Sequence, residues 1–370
     1  MDFSFSEDQQ GIRDLAKQVL TGLVTDDSLK ALHKEGQWFH RKAWEQLAES
    51  GLLGLCFDEA YGGASMGLTE LCLLLEQVGR TVAPIPAVPT LASAGLGIAN
   101  FGTEAQKKKW IPEIIAGKTI VTAALQQTNS RDAALPAATA KKDAEGYRVS
   151  GEFTNVAFFD VAARVLIAAK TDDGVLVALL DPRVSGVKAE AQQATNGEPW
   201  TKLVLQDARV ANEDVIAQGA RGRDALTSIV QRTVLAVCAV QVGLCEQAVF
   251  MTANYATERK QFGVPIGTFQ GVTQRLGDAY IDVQAMKATM WRACWLLDEG
   301  RDAEKALCVA KFWASEGGAR VVAAAQHIHG GMGFDRDYPL YRYFLMSKNI
   351  EFSFGGAMEQ LTALGARLSA

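Results

Sequence analysis

The chain has 370 residues, of which 48% are hydrophobic and 21% charged, and its net charge is -5 at pH 7. This balance is typical of a globular protein of two or three domains, and without a basic block it predicts no nucleic-acid partner. No apolar run looks long enough to cross a bilayer, so no membrane partner is expected. The acidic start Met1–Asp8 lacks a signal-peptide pattern, which favours a cytoplasmic location.

Residues 1–119 are predicted to form a helical N-terminal domain. Apolar residues recur there at the spacing of an amphipathic helix, beginning with Phe5, Ile12 and Leu15. Paired glycines and two prolines mark the breaks between successive helices. After the first helix, further helices are predicted over residues 41–49, 69–78 and 91–116.

Residues 120–217 are predicted to form a middle β domain, either a sandwich or a barrel. Short apolar or β-branched runs alternate there with Gly, Asp, Asn and Pro turns. Residues 143–146 and 171–174 have the composition of hairpin turns. The predicted strands cover residues 120–125, 147–149, 165–169, 175–180 and 202–205.

Residues 218–370 are predicted to form a C-terminal four-helix bundle, which makes the fold mixed α and β but mainly α. Many helix faces are rich in Ala, Val and Leu, so other helices, including those of another subunit, are expected to cover them. The predicted helices cover residues 225–255, 273–297, 303–325 and 338–368.

The cysteines and histidines of the chain show no spacing typical of a metal site, so no metal is predicted. Most of the cysteines lie in apolar helical stretches, where a free thiol behaves as a small hydrophobic group. They are therefore interpreted as structural thiols. The residues concerned are Cys56, Cys72, Cys238, Cys245, Cys294 and Cys308, with His33, His40, His327 and His329.

Two motifs near the C-terminus carry the most information about function. The first is Arg259–Ile266, followed by Phe269 and Gln270, and the second is His327–Phe334. With three weaker segments earlier in the chain, in this order and spacing, they resemble the acyl-CoA dehydrogenase family over nearly the whole sequence. The weaker segments are Trp44–Leu55, Tyr61–Gly63 and Phe101–Trp110.

The resemblance implies an FAD cofactor bound between subunits, with the motifs of one subunit acting on the FAD of its neighbour. It implies that Arg259 contacts the diphosphate, as a guanidinium pairs well with phosphate, and that Phe262 packs on the dinucleotide with the assistance of Gln270. In the segment His327–Gly331, the glycines Gly330 and Gly331 would let the backbone approach the cofactor, although relatives often have glutamine at the position of His327. Taken without this context, Arg259 is more typical of a surface arginine at a helix end, and Gly330–Gly331 of a simple turn.

The usual catalytic base of the family has no clear equivalent in this sequence. Dehydrogenation of an acyl-CoA thioester needs a carboxylate that removes the α proton, while the flavin accepts the β hydride. An ungapped count places Phe354 at that position and a one-residue slip places Gly355 there, and neither can take a proton. Some relatives carry the base on an earlier helix, where Thr233 stands here. The nearest acids are Glu351 and Glu359, which are weak candidates more typical of carboxylates on a helix surface.

The middle domain departs from the family pattern as well. The loop that binds flavin and substrate in the family corresponds to Gln126–Asp132, and its glycine is missing. The family's Trp-x-Thr/Ser strand beside the flavin ring corresponds to Asn155–Ala157, which has neither the indole nor the hydroxyl. The groups that would hold this subunit's own FAD are thus lost, whereas those that complete a neighbour's FAD are retained.

This asymmetry favours the base-lacking subunit of an α2β2 heterotetrameric acyl-CoA dehydrogenase. The segments Leu340–Phe344 and Phe354–Leu361 resemble subunits of this kind from bacterial breakdown of steroid side chains. The partner subunit would supply the base, and an electron-transfer flavoprotein would accept the electrons. Three alternatives stay open: a self-sufficient homotetramer with an unrecognised base, a flavin oxidase or monooxygenase, and a non-catalytic scaffolding subunit.

Overall fold

The computed structural model describes residues 4–369, which group into two compact units. The first unit contains the residues up to Glu35, the segment Leu68–Ala83 and the chain from Leu235 onward. The second unit contains Gly36–Gly67 and Pro84–Val234. The three predicted domains, with boundaries after residues 119 and 217, stay a prediction.

Helices dominate the part of the chain that the structure describes. A π-helix covers Val88–Gly95, in the region predicted as a helix pair, so its backbone is wider than an ordinary α-helix. The α-helices are α1 Glu7–Leu23, α2 Asp26–Lys34, α3 Arg41–Glu49, α4 Leu68–Arg80, α5 Leu96–Phe101, α6 Glu104–Ile115, α7 Gly219–Glu258, α8 Gln270–Asp298, α9 Glu304–His329, α10 Leu340–Phe352 and α11 Ala357–Ser369.

The first unit is helical, and two glycines allow two of its helices to touch through their backbones. A Cβ atom on Gly79 of α4 would overlap the carbonyl of Val240 in α7, and one on Gly243 would overlap the carbonyl of Glu76. Only glycine permits so close an approach. At the start of the chain, Ser6 and Gln9 form a capping box that fixes the beginning of α1.

The second unit contains the β structure predicted between residues 120 and 217, which forms one mostly antiparallel sheet. Its hydrogen-bonded order is β6-β7-β3-β2-β4-β5-β8, with β1 pairing in parallel with β4. Both predicted hairpin turns are confirmed, because Asp143 pairs with Gly146 and Thr171 with Gly174. The strands are β1 Val121–Ala124, β2 Thr139–Asp143, β3 Gly146–Ala157, β4 Arg164–Thr171, β5 Gly174–Leu180, β6 Val187–Gln193, β7 Pro199–Ala211 and β8 Val215–Ala217.

One helix prediction needs correction. The predicted helix 338–368 is two helices, α10 and α11, separated by a turn at Ser353–Gly356. We call this segment the glycine turn. Phe354 has a φ angle of 56° and Gly355 one of 90°, and this left-handed backbone ends α10 as glycine commonly does. The chain from α7 onward therefore contains five α-helices among the described residues.

The expectation about apolar runs was also wrong in part. Helix α7 is long and apolar enough to cross a membrane by length and composition, but 72% of its most apolar window is buried within the protein. That burial is typical of a core helix. The six cysteines, all in the described part of the chain, form no disulfide and five of them are buried, as structural thiols would be. Burial raises the pKa of the Cys238 thiol to about 12.

Candidate functional site

The first C-terminal motif forms a small hairpin directly after α7. Its strands are β9 Lys260–Gln261 and β10 Val264–Pro265, and the turn between them places Phe262 at a φ angle of 54°. The Phe262 side chain is 95% exposed and meets only the edge of the Phe269 ring, at a centroid distance of 6.2 Å. A left-handed backbone at phenylalanine costs on the order of 1–3 kcal/mol. The hairpin thus holds an aromatic ring outward, available to a group outside this chain.

Arg259 lies between α7 and this hairpin and is exposed. Its amide donates to the carbonyl of Tyr255 at 2.8 Å, and its own carbonyl accepts from the amide of Ile266 at 2.8 Å. Within residues 4–369, no carboxylate lies within ion-pair distance of its guanidinium. Gln270 is exposed at the first position of α8. The backbone of Arg259 is fixed, while its charge is free to meet an anion.

The second motif forms the end of α9 and the turn after it. Gly330 has a φ angle of 60°, and a Cβ atom on Gly330 or Gly331 would meet nothing within 4 Å. The glycine pair therefore leaves open backbone at the surface, as a closely approaching ligand requires. His327 is exposed.

Two buried side chains, His329 and Gln326, hold the turn after α9 in place. Neither was predicted from the sequence as part of the site. The His329 ring is buried, with Nδ1 2.8 Å from the carbonyl oxygen of Ala325 and Nε2 3.1 Å from the Tyr338 hydroxyl. Burial lowers the pKa of His329, which favours the neutral ring. The amide of Gln326 donates to the carbonyl of Gly333 at 2.8 Å.

The two motifs meet through one aromatic contact. The ring of Tyr255, one turn before Arg259, stacks on the His329 imidazole at 4.3 Å. The structure therefore brings the predicted motifs together at the junction of α7 and α9. The sequence shows a second histidine, His329, two residues after His327. It does not show that His329 is buried or that Tyr255 is its stacking partner.

The position of the family's base is occupied by the glycine turn. A Cβ atom on Gly355 would lie 2.9 Å from the Gln360 side-chain nitrogen, and its φ of 90° disfavours any residue with a side chain. That same nitrogen donates to the carbonyl of Phe354 at 2.8 Å. This backbone would strain a residue with a side chain at position 355, and neither Phe354 nor Gly355 carries a group that can take a proton.

The two weak candidates for a base, and Thr233 at the alternative position of the base, all make contacts within the protein or lie on its surface. The Glu351 carboxylate pairs with Lys348 at 2.7 Å, and Glu359 is exposed in the first turn of α11. Thr233 is buried in α7, donates to the carbonyl of Ile229 at 2.8 Å and lies 2.8 Å from the Ser93 hydroxyl. None of them combines a free carboxylate with an enclosed apolar surrounding, which a base for α-proton removal needs.

The two segments of the β domain that differ from the family pattern, Gln126–Asp132 and Asn155–Ala157, are joined by a hydrogen bond. The side-chain amide of Asn155 donates to the Gln126 side-chain oxygen at 2.9 Å, and its backbone amide donates to the Gln192 side chain at 3.0 Å. Asn155 also has a φ angle of 60°, which asparagine tolerates better than most residues. Gln192 lies in β6, which was not among the predicted strands, so its part in this network was missed.

Two side chains of the loop Gln126–Asp132 hydrogen-bond to the backbone of this chain. The buried Gln127 accepts from the amides of Ala137 and Ala138, both at 2.7 Å, and donates to the carbonyl of Ala168 at 3.1 Å. The Ser130 hydroxyl contacts the carbonyls of Asp132 and Leu135. These internal contacts replace the open backbone that a glycine would give this loop.

Comparison with known proteins agrees with the motifs. The model of the acyl-CoA dehydrogenase N-terminal domain matches residues 6–118, and that of the C-terminal domain matches residues 220–368. The acyl-CoA dehydrogenase FadE27 of Mycobacterium tuberculosis is 33% identical over 377 residues, which cover 100% of this chain and 99% of that protein.

Two solved structures have the same fold over nearly their full length. The structure titled as a variant of the Tcur3481-Tcur3483 steroid ACAD is 38% identical, has a TM-score of 0.92 and covers 98% of both chains. The ChsE4-ChsE5 complex from Mycobacterium tuberculosis is 34% identical and has a TM-score of 0.94, with coverage of 100% of this chain and 99% of that one.

Proposed function

Because the chain belongs to the acyl-CoA dehydrogenase family, we propose that it is the base-lacking subunit of a two-protein acyl-CoA dehydrogenase. The substrate class we propose is a large acyl-CoA thioester, such as an intermediate of steroid side-chain breakdown. The observation that carries the proposal is the glycine turn: neither Phe354 nor Gly355, one of which is expected at the position of the family's base, can take a proton, and the left-handed backbone at both disfavours a glutamate.

FAD is the cofactor of the family, and when bound it supplies the acceptor for the hydride that leaves the β carbon. The exposed residues of this chain fit such a group. Arg259 has a guanidinium without an acidic partner in the described chain, suited to a diphosphate. Gly330 and Gly331 offer open backbone, and Phe262 offers an outward aromatic face. These residues would bind and orient the cofactor; removal of the α proton would fall to the partner.

The β domain supports the same division of labour. Asn155 and Gln126 hydrogen-bond to each other, so the groups at the two positions expected beside the flavin are already engaged. A subunit with this arrangement is better suited to completing a neighbour's site than to holding its own flavin ring.

The similar proteins support the proposed partner and substrate. One structural relative is titled as a steroid ACAD with two named components, and another as a ChsE4-ChsE5 complex. For this chain we propose the corresponding assembly, an α2β2 heterotetramer in the cytoplasm. We further propose that an electron-transfer flavoprotein receives the electrons.

The test is native mass spectrometry with FAD quantified, on the chain alone and after co-expression with a candidate catalytic subunit. We expect a flavin-poor chain alone and a mixed tetramer with one FAD per pair of unlike subunits. A homotetramer with one FAD per chain would refute the proposal.

The Arg259→Ala variant tests the role of this chain's own residues in the same experiment. It should lower the FAD content of the mixed tetramer without preventing assembly. Arg292→Ala is the matched control, because Arg292 is also exposed and lies about 33 Å along α8 from Gln270. Equal FAD content in both variants would contradict the assignment of Arg259.

A further inference from the structure

One buried cation lies directly beneath the glycine turn and has no part in the contacts proposed above. The Lys311 side chain in α9 is 0% exposed, although lysine is rarely buried without a charged partner. Within the described chain no carboxylate lies within ion-pair distance of its Nζ atom. The burial of this ammonium therefore has to be compensated by other groups.

The compensating groups are carbonyl oxygens that converge from the end of α10 and from the turn. The Nζ atom donates to Ile350 at 3.1 Å, Glu351 at 3.3 Å and Gly355 at 3.0 Å. It also contacts the Ser315 hydroxyl at 2.6 Å, and that hydroxyl donates to the carbonyl of Glu351 at 3.0 Å. Carbonyls at the end of a helix lack partners within the helix and carry partial negative charge, so a cation is favourable there.

We propose that Lys311 is the positioning residue of the glycine turn: its ammonium draws the end of α10 and the carbonyl of Gly355 to one point and so fixes the turn. The role of Lys311 in the turn does not depend on the proposed function. Only its consequence for binding of the partner subunit rests on that function. A fixed turn holds the exposed Phe352 and the start of α11 in one arrangement when the partner subunit binds.

The geometry makes this role specific to the reach of lysine and to its several N–H donors. Gln360 donates to the carbonyl of Phe354 and lies 3.5 Å from that of Gly355, but it does not reach the carbonyls of Ile350 or Glu351. Without the Lys311 amine, the Ile350 carbonyl would keep the Ser353 amide at 3.3 Å and the Glu351 carbonyl would keep the Ser315 hydroxyl at 3.0 Å. Loss of the shared donor weakens the link between α10 and the turn, and we expect α10 to fray and the turn to move.

The test is hydrogen exchange measured on the full chain, with Lys311→Met as the variant. The amides of Ser353 and Gln360 report on the turn, because they donate to the carbonyls of Asn349 and Gly356. We expect about tenfold faster exchange at these amides in the variant, with the rest of α9 unchanged. Lys305→Met is the matched control, since Lys305 is exposed on the same helix and should leave the turn as it is.

A pH series separates positioning from simple packing. Burial lowers the pKa of Lys311 to about 8, and the groups that face it are Cys238, Ser315, Glu351 and Glu359. The Cys238 thiol stays protonated in this range, because burial raises its pKa to about 12. Opening of the turn returns the Lys311 amine to water, where its pKa rises towards 10.5 and it takes up a proton. Protection of the turn in the native protein, corrected for intrinsic exchange, should therefore rise as the pH rises through the pKa of Lys311. The Lys311→Met variant should show no such rise.

Ser315→Ala provides a second, milder variant in case Lys311→Met does not fold. It removes one partner of the ammonium and one donor to Glu351, and should speed exchange at the same two amides by a smaller factor. Unchanged protection of the turn in the variants, or a native pH series without a rise, would overturn the proposal. These readouts need no flavin and no partner, so a failure of the proposed function would leave them intact.

Discussion

The phenol ring of Tyr255 stacks on the His329 imidazole, with 4.3 Å between the ring centroids and 22° between the planes. Tyr255 also accepts the amide hydrogen bond of Arg259, and His329 directly precedes the glycine pair Gly330–Gly331. The stack of Tyr255 on His329 thus links Arg259 to the open backbone at Gly330–Gly331. It sets the distance between these two segments, which are both proposed to contact the cofactor.

We expect His329→Ala to weaken both segments together. The change removes a buried stack and the two polar contacts of the imidazole ring, so it should lower the free energy of unfolding by about 2 kcal/mol. It should also reduce the FAD content of the mixed tetramer, because the turn after α9 loses its support. Urea unfolding and flavin absorbance measure the two effects.

His327→Ala is the control for stability, since this ring is exposed two residues earlier on the same helix. It should change the free energy of unfolding by no more than about 0.5 kcal/mol. Equal destabilisation by the two variants would show that the stack does not support the turn.

Gly355 should be intolerant of any side chain. At a φ angle of 90° and with the Gln360 nitrogen 2.9 Å from the added atom, Gly355→Ala should lower the free energy of unfolding by about 1–3 kcal/mol. Gly355→Glu should be destabilised further, and should not give a chain that reduces flavin by itself on addition of an acyl-CoA. Thermal unfolding and anaerobic flavin spectra provide the measurements.

Gly365→Ala is the matched control in α11. A Cβ atom there meets nothing within 4 Å and the backbone is helical, so the substitution should stabilise the chain by up to about 1 kcal/mol. A Gly355→Ala variant as stable as Gly365→Ala would mean that the turn can accept a side chain, and the absence of the base would then need another explanation.

The sequence predicted the helical spans well where periodicity was strong, and less well where the backbone left the usual regions. Predicted helix 41–49 matches α3 at both ends, because its apolar face and the glycine after it give clear signals. The prediction of one helix over residues 338–368 missed the break at the paired glycines Gly355 and Gly356, a signal that the sequence does contain. The φ angles of Phe354 and Gly355 show the turn directly. Strands β2 and β6 were missed because one or both of their faces are exposed and polar.

The exposed residues of the candidate site could be predicted from the sequence, but the buried or distant residues that hold them in place could not. Arg259 and Phe262 belong to a recognisable motif, whereas Lys311, Tyr255 and Gln192 act through partners far away in the sequence. The contact from Lys311 to the glycine turn spans 44 residues, and that from Tyr255 to His329 joins two different helices. Such pairings depend on tertiary packing, which local pattern does not encode.

Asn155 should be sensitive to the shape of its replacement. Asn155→Val places a β-branched residue at a φ angle of 60° and removes the hydrogen bond to Gln126, so the free energy of unfolding should fall by about 2 kcal/mol or more. Asn155→Gly relieves the backbone and should cost less than half as much. If the two variants are equally stable in urea, the left-handed backbone at this position is not maintained.

Glu76 gives the chain a pH-dependent weakness in the first unit. This residue of α4 is only 5% exposed, and its Oε1 atom has no hydrogen-bond partner in the described chain. Burial raises its pKa from 4.5 to about 7, with Lys287 opposing that rise. A carboxyl whose pKa is higher in the folded state binds its proton more tightly when folded. Its burial therefore does not lower the free energy of unfolding below about pH 4.5. The loss grows as the pH rises towards 7 and is constant above it.

Glu76→Gln should consequently stabilise the protein by about 3 kcal/mol at pH 8 and far less at pH 5, because the amide carries no charge to bury. Urea unfolding at the two pH values measures the difference. Glu299→Gln, an exposed substitution at the end of α8, should shift stability by a similar small amount at both. A Glu76→Gln gain that is the same at pH 5 and pH 8 would mean that the native carboxyl does not titrate in this range, and that packing of the amide is the source of any stabilisation.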